Sequence, residues 1–77
     1  MKRLQVLGPG CPNCARLAEN TQAAVDQSGV EATVEKVTDI NQIVSFGVMA
    51  TPGLVVDGEV KVVGKVPSVE EIKELLD

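Results

Sequence analysis

Two cysteines separated by two residues are the most reactive feature of this 77-residue sequence. Cys11 and Cys14 enclose Pro12 and Asn13 in a Cys-Pro-Asn-Cys motif, and the sequence has no further cysteine and no histidine. Two thiols at this spacing can form a disulfide with each other, exchange it with another disulfide, or bind a soft metal ion. The chemistry of the protein is therefore expected at this pair.

The residues of the motif favour the start of a helix. Pro12 suits the first helical position, because its missing N–H would have no intrahelical acceptor there. Cys11 then becomes the N-cap, and its sulfur faces the free amides of Asn13 and Cys14 and the positive end of the helix dipole. These groups favour the thiolate, which is the species that attacks disulfides. We therefore predict that Cys11 is the nucleophile and Cys14 the resolving thiol that releases the reduced product.

Two other uses of the cysteine pair stay open. A disulfide that only stabilises the fold would close a loop of about four residues, which contributes only about 2 kcal/mol. A metal site is the second use, and two thiolates suit linear Cu(I). Tetrahedral zinc wants four ligands, of which these two cysteines supply half.

Composition predicts one globular domain over residues 1–77, because 44% of the residues are hydrophobic and 23% are charged. Seven Lys and Arg against eleven Asp and Glu give a net charge of −4. The basic residues are scattered, and Phe46 is the sole aromatic residue. Neither a phosphate-binding surface nor a base-stacking platform is expected, so we predict no nucleic-acid partner.

Hydrophobic runs in the sequence are short. None approaches the roughly 18 residues of a membrane-spanning helix. Lys2 and Arg3 ahead of an apolar run imitate the start of a signal peptide, but Gly8, Pro9 and Gly10 end that run too early. We therefore expect a cytoplasmic protein without membrane contact, and reactive rather than structural cysteines suit a reducing compartment.

Hydrophobic periodicity predicts the element order β-α-β-α-β-β-α. The segments are a strand over Lys2–Leu7, a helix from the motif to Ser28 with a stop at Gly29, an alternating strand over residues 30–35, a short helix opened by Asp39, strands over residues 54–56 and 60–63, and a helix opened by Ser68. The first helix should connect two parallel strands by a right-handed crossover.

Local signals mark the ends of the later elements. Asp39 and Gln42 are spaced as a capping box, and so are Ser68 and Glu71. The positions predicted to face inward are Ile40, Ile43 and Val44 in the short helix, which Gly47 should end, and Val69, Ile72, Leu75 and Leu76 in the last. The dipeptide Asp57-Gly58 tolerates the positive φ of a hairpin turn, so the two strands around it should be antiparallel.

The motif after a first strand, followed by Thr51-Pro52-Gly53 ahead of a hairpin, resembles the thioredoxin superfamily over essentially the whole chain. It is most similar to the small, glutaredoxin-sized redox-active disulfide proteins. The resemblance implies a minimal thioredoxin-like α/β fold, with a four-stranded mixed sheet in the order 2-1-3-4 and helices on both faces. It also implies a thiol–disulfide oxidoreductase that needs no cofactor beyond its Cys11–Cys14 disulfide.

The resemblance further implies where substrates bind. The Thr51–Pro52 bond should be cis and lie beside the cysteine pair, where the Thr51 backbone can pair with an extended substrate segment. Gly64 matches the glycine of a third loop in the substrate groove. The expected substrate-binding residues are Gly10, Pro12, Asn13, Thr51, Pro52 and Gly64. The partners implied are disulfide-containing proteins and a dithiol reductant such as a thioredoxin reductase, with the protein itself a monomer.

Three departures from the family pattern bear on the chemistry. Cys-Pro-Asn-Cys is neither the Trp-Cys-Gly-Pro-Cys of thioredoxin nor the usual Cys-Pro-Tyr-Cys of glutaredoxin. The first strand has no carboxylate to take the proton of Cys14, so the acceptor of that proton is unassigned and water is the candidate. Lys65 and Asp57 do not reproduce a glutathione clamp.

Two alternative functions come from other classes of protein. A cytosolic Cu(I) carrier similar to heavy-metal-associated domains would also place Cys-x-x-Cys after a first strand. Those domains usually have Met where this chain has Pro9, lack the Thr-Pro pair, and follow the order β-α-β-β-α-β. A noncatalytic interaction module is the other alternative, with a docking surface formed by Gly10, Pro12, Val48, Met49 and Pro52.

Overall fold

The computed structural model describes residues 2–76, which form a four-stranded sheet and three helices. In chain order these are β1 (Lys2–Leu7), α1 (Pro12–Ser28), β2 (Ala32–Val37), α2 (Ile40–Ser45), β3 (Gly53–Val56), β4 (Glu59–Val63) and α3 (Val69–Leu75). The strand order is β2-β1-β3-β4. β1 is parallel to β2 and antiparallel to β3, which is antiparallel to β4. The predicted minimal thioredoxin-like fold is confirmed.

The two faces of the sheet bury separate hydrophobic cores. On one face α1 and α3 cover β1 and β3, and the buried residues there are Leu4, Val6, Leu17, Ala18, Ala24, Val25, Leu54, Val56, Ile72 and Leu76. On the opposite face α2 and the segment after it cover a smaller core of Leu7, Val37, Ile43, Val48 and Val55. Because side chains alternate across a strand, β1 and β3 supply both cores.

α1 connects the parallel strands β1 and β2 and has well-defined ends. It begins at Pro12 behind the N-cap Cys11 and ends at Ser28. The C-cap Gly29 has a φ of 72°, which turns the chain out of the helix, and its amide donates to the carbonyl of Val25 at 3.2 Å. The buried hydroxyl of Thr21 donates to the carbonyl of Leu17 at 2.7 Å, so it is satisfied inside the core. The predicted start and stop of this helix are confirmed.

The hairpin turn between β3 and β4 also follows the prediction. Asp57 and Gly58 have φ values of 52° and 82°, as a two-residue turn of the favoured hairpin type requires. The Asp57 carboxylate accepts a hydrogen bond from the amide of Arg3 at 2.8 Å, while the Asp57 amide donates to the carbonyl of Arg3 at 2.8 Å. The turn is thereby joined to the first residues of the central strand.

The sequence placed β2 two residues too early. The predicted strand covered residues 30–35, whereas β2 runs from Ala32 to Val37. Its position follows from pairing with β1, since every residue from Lys2 to Leu7 has a partner in β2. This correction moves Lys36 into the strand, opposite Val6.

The predicted inward face of α2 is wrong for two of its three positions. Ile43 is buried, but Ile40 and Val44 are each 55% exposed. A helix of six residues has fewer than two turns, so a single side chain reaches the sheet. The predicted capping box is absent as well, because the Asp39 carboxylate accepts from the amide of Asn41 instead of Gln42. The helix ends at Ser45, and Gly47 follows with a φ of 82°.

The capping box of α3 is confirmed. The Ser68 hydroxyl accepts from the Glu71 amide at 3.2 Å, and the Glu71 carboxylate accepts from the Ser68 amide at 3.2 Å. Ile72 and Leu76 are buried, and the two flanking apolar positions of the predicted stripe are half-buried against the same core. Among residues 2–76, no helix combines the length and the hydrophobicity that crossing a bilayer demands.

Candidate active site

Cys11 and Cys14 lie at the amino end of α1 and are joined by a disulfide, with their Cα atoms 5.0 Å apart. Cys11 is the N-cap and has extended backbone angles, and Pro12 occupies the first helical turn. The Cys14 amide donates to the Cys11 sulfur at 3.2 Å. Of the two amides predicted to face this sulfur, the Cys14 amide makes the hydrogen bond. No acidic side chain lies in the first turn of α1, so the positive end of the helix is left uncompensated there.

The two cysteines differ in accessibility. Cys11 is half-buried, whereas Cys14 is only 5% exposed. Pro12 and Asn13, which lie between them, are exposed. A sulfur of another protein can therefore approach Cys11 from solvent, while Cys14 faces the interior.

A narrow cleft leads from the surface to Cys14. Its volume is about 270 Å³, and it is lined by Val6, Gly8, Gly10, Cys14, Ala15, Ala18, Lys36 and Thr38. No carboxylate belongs to this lining. Lys36 and Thr38 contribute its polar side chains, and sequence reasoning missed both. The signal that could have found Lys36 is the pairing of β2 with β1, which places it opposite Val6 on the α1 face of the sheet.

Thr51 and Pro52 lie at the end of the sheet that carries the motif. The pairing of Leu7 with Gly53 puts the residue before β3 beside the point where β1 leads into the motif. The Thr51–Pro52 peptide bond is cis, as the resemblance implies. Thr51 is exposed and Pro52 is buried.

Gly64 belongs to the same group of loops as Pro52. Its amide donates to the Pro52 carbonyl at 2.7 Å, which joins the segment after β4 to the segment before β3. Gly64 is exposed and has a φ of 70°. A Cβ at this position would lie 3.4 Å from the Cβ of Ala50, so backbone conformation more than space favours glycine.

The structure separates the residues of the predicted docking surface. Val48 is 2% exposed and belongs to the smaller core, and Pro52 is also buried. Met49, by contrast, is 91% exposed. It borders a shallow groove of about 240 Å³ together with Thr51 and the exposed side chains of α2, which sequence reasoning had assigned to the core.

Comparison with known proteins decides the family. The family model described as "Thioredoxin domain" matches residues 2–77. The chain belongs to the thioredoxin family. A thioredoxin of Methanothermobacter thermautotrophicus is 46% identical over 76 residues, which cover 99% of both chains. A thioredoxin of Methanocaldococcus jannaschii is 45% identical over 73 residues, covering 95% of this chain and 84% of that protein. A probable thioredoxin of M. thermautotrophicus is 33% identical over 72 residues.

Family membership and the disulfide together establish the general activity. A member of the thioredoxin family with a disulfide at the helix N-terminus is a thiol–disulfide oxidoreductase, and that is the activity of this protein. Thioredoxins act in general on protein disulfides and depend on a reductase. The accessibility of Cys11 and the burial of Cys14 show which atoms of this protein are available for that exchange.

The fold distinguishes this protein from the metal-carrier alternative. The order β-α-β-β-α-β of heavy-metal-associated domains has no helix between the second and third strands, whereas α2 lies there in this chain. The arrangement therefore favours the oxidoreductase among the alternatives left open by the motif.

Proposed function

We propose that this protein exchanges its Cys11–Cys14 dithiol and disulfide with protein substrates, with Cys11 as nucleophile and Cys14 as resolving thiol. The observation that carries this assignment is the unequal burial of the two residues, since only Cys11 is open to an incoming sulfur. The intramolecular disulfide is the redox group of the reaction, and no added cofactor is required.

In the reducing direction, the Cys11 thiolate attacks one sulfur of the substrate disulfide. A mixed disulfide forms, and the other substrate sulfur leaves as a thiolate that takes a proton from water. Cys14 then loses its proton to water and attacks the Cys11 sulfur. This breaks the bond to the substrate, and the second substrate sulfur leaves as a thiolate that takes a proton from water. The substrate leaves with two thiols, and the protein keeps the two-electron oxidised form seen in the structure.

The amino end of α1 supports Cys11 in this role. Its sulfur accepts the Cys14 amide at 3.2 Å, and a charged acceptor would strengthen that hydrogen bond. The helix dipole acts in the same direction, because its positive end meets no acidic side chain in the first turn. Both effects stabilise the thiolate that attacks and leaves.

The cleft beside Cys14 supports water as the acceptor of its proton. It reaches the buried Cys14 from the surface, and its lining offers no carboxylate for this role. Lys36 adds positive charge to the cleft, which favours the Cys14 thiolate at the moment of attack.

Substrates bind across Gly10, Pro12, Asn13, Thr51, Pro52 and Gly64. All of these except Pro52 are exposed, so the motif and the two loops are accessible to a partner. The backbone of Thr51 pairs with an extended segment of the substrate, which gives affinity with little side-chain selectivity. Pro52 is buried and supports this surface indirectly, because its carbonyl accepts the Gly64 amide and joins the two loops. A dithiol protein such as a thioredoxin reductase restores the monomeric enzyme in the cytoplasm.

Matched serine variants test the assignment of the two sulfurs. We expect Cys11→Ser to abolish the reduction of a protein disulfide, because no thiolate remains at the accessible position. Cys14→Ser should form mixed disulfides with substrate proteins that persist, because the resolving thiol is missing. Non-reducing electrophoresis and mass spectrometry of the trapped species measure both outcomes. Stable complexes formed by Cys11→Ser and not by Cys14→Ser would reverse the roles.

A redox titration of the metal-free protein tests the exchange itself. The protein is equilibrated over dithiol and glutathione buffers, quenched with acid, alkylated and analysed by mass. A reversible two-electron transition between roughly −300 and −120 mV is expected. An irreversible response would contradict the proposed function, and a Cu(I) titration would then test the metal-carrier alternative.

A further inference from the structure

Gly8 lies directly against the side chain of Cys14. A Cβ built on Gly8 would overlap the Cys14 sulfur and would lie 2.8 Å from the Cys14 Cβ. Contacts this short do not occur between real side chains, so one of the two residues would have to move. Gly8 is buried, and its amide donates to the Val37 carbonyl at 2.9 Å, which holds its backbone to β2.

The requirement for glycine at position 8 is one of space. The glycines with positive φ in the described chain are Gly10, Gly29, Gly47, Gly58 and Gly64. Gly8 is not among them, so alanine can adopt its backbone conformation without strain. The one obstacle to a side chain there is Cys14.

We propose that Gly8 is a positioning residue that provides the space for the Cys14 sulfur in the disulfide, and that it thereby sets the equilibrium between the disulfide and dithiol forms. This inference rests on the proposed function, in which that equilibrium is reversible. In the disulfide, the Cys14 sulfur is bonded to Cys11 and cannot turn away from a methyl group at position 8. In the dithiol, it can rotate about the Cα–Cβ bond of Cys14 and relieve part of the overlap.

A Gly8→Ala variant tests the proposal in glutathione buffers. Two glutathione thiols supply two electrons and two protons, become one oxidised glutathione and convert the protein disulfide to two thiols. At a fixed buffer ratio, we expect the ratio of disulfide to dithiol to fall at least tenfold relative to the wild type. That factor corresponds to a reduction potential about 30 mV less negative.

Gly53→Ala is the matched control. Gly53 is also buried, pairs with Leu7 at the same end of the sheet and lacks a positive φ. The nearest neighbours of a Cβ there are the Val62 carbonyl oxygen at 3.3 Å, a Val48 methyl at 3.5 Å and the Leu7 Cβ at 3.6 Å, and none is a cysteine. We expect it to change the disulfide-to-dithiol ratio less than twofold. An equal shift in both variants, or no shift in Gly8→Ala, would overturn the proposal.

A double-mutant cycle on protein stability tests the proposal even if Gly8→Ala folds poorly. The free energy of unfolding is measured for Gly8→Ala in the oxidised protein and again in a Cys14→Ala background. The substitution at position 8 should cost less where the sulfur is missing. An equal cost in both backgrounds, or a failure to fold in both, would show that the glycine serves the backbone and not the sulfur. Because the cycle involves no redox exchange, it decides on Gly8 even if the wild type lacks a reversible transition.

Discussion

At the amino end of α1, the Cys11 sulfur accepts the Cys14 amide at 3.2 Å, while Cys14 is 5% exposed and lies against Gly8. Solvent access therefore favours Cys11 as the sulfur that reacts with a partner protein. Close packing, in contrast, constrains mainly the Cys14 sulfur. Disulfide exchange depends on which sulfur is attacked and on the thiolate fraction of the attacker. The two steps of the reaction consequently depend on different neighbours, the helix terminus for the first and the cleft for the second.

The charge of Lys36 should influence the second step. In Lys36→Gln the cleft beside Cys14 loses its positive side chain, so the Cys14 thiolate is less favoured. When a thiol label is bound to Cys11 as a mixed disulfide, attack by Cys14 releases it. We expect the rate of this release to fall about two- to fivefold, which is the effect of losing one solvent-screened charge interaction. Stopped-flow measurement of label release gives the rate.

Lys65→Gln is the charge-matched control for this prediction. Lys65 lines a different cleft, beyond β4, and its removal should leave label release unchanged. Equal rates for the wild type and Lys36→Gln would show that Lys36 has no influence on the resolving thiol.

At the scale of elements, the site depends on short segments whose ends are held by local interactions. α3 has a capping box between Ser68 and Glu71, and the β3–β4 turn uses the positive φ of Asp57 and Gly58. α3 packs on the same core as α1, the helix that carries both cysteines. These ends affect the stability of the scaffold without touching either sulfur.

Ser68→Ala should therefore lower stability without changing the redox chemistry. Loss of the N-cap hydroxyl leaves the Glu71 amide without its partner, and we expect the free energy of unfolding to fall by about 1 kcal/mol. Urea unfolding measures the loss, and the glutathione equilibrium should stay at the wild-type value. Ser45→Ala removes an exposed hydroxyl at the end of α2 and should cost less. If Ser45→Ala cost as much as Ser68→Ala, the capping box would not be the cause.

At the scale of the whole molecule, the fold must remain intact in both redox states. A chain of this size buries only about 60 to 65% of its unfolded surface, and its apolar core is divided between two faces of one sheet. The disulfide contributes little to stability, because it closes a loop with a sequence separation of three. Most of the stability must come from the packing of the helices on the sheet.

Reduction of the disulfide should lower the free energy of unfolding by only about 2 kcal/mol, so the reduced protein stays folded. Urea unfolding followed by circular dichroism, with and without a dithiol reductant, measures the difference. A Cys11→Ser, Cys14→Ser double variant is the control, since reductant should not change its stability. Unfolding of the wild type on reduction alone would contradict a reversible exchange and indicate a structural disulfide.

Much of the fold could be predicted from the sequence where neighbouring residues decide the conformation. β1, the ends of α1, the hairpin turn at Asp57-Gly58 and the capping box at Ser68 all follow from residue type and spacing within one or two turns. The position of Cys11 as the N-cap follows from residue type and spacing in the same way. Predictions from local patterns were wrong where strand pairing or helix packing decides the structure. These places are the bounds of β2 and the inward face of α2.

By itself, the sequence determined the redox motif, its place at a helix N-terminus and the order of the elements, because backbone preferences and caps act between residues close in the chain. Only the tertiary structure decided that Cys14 is buried, that Gly8 lies against its sulfur and that Lys36 shares its cleft. These neighbours come from β1, α1 and β2, which meet only when the crossover helix packs on the parallel strands. The space and charge around the buried sulfur are therefore properties of the packed sheet and helix.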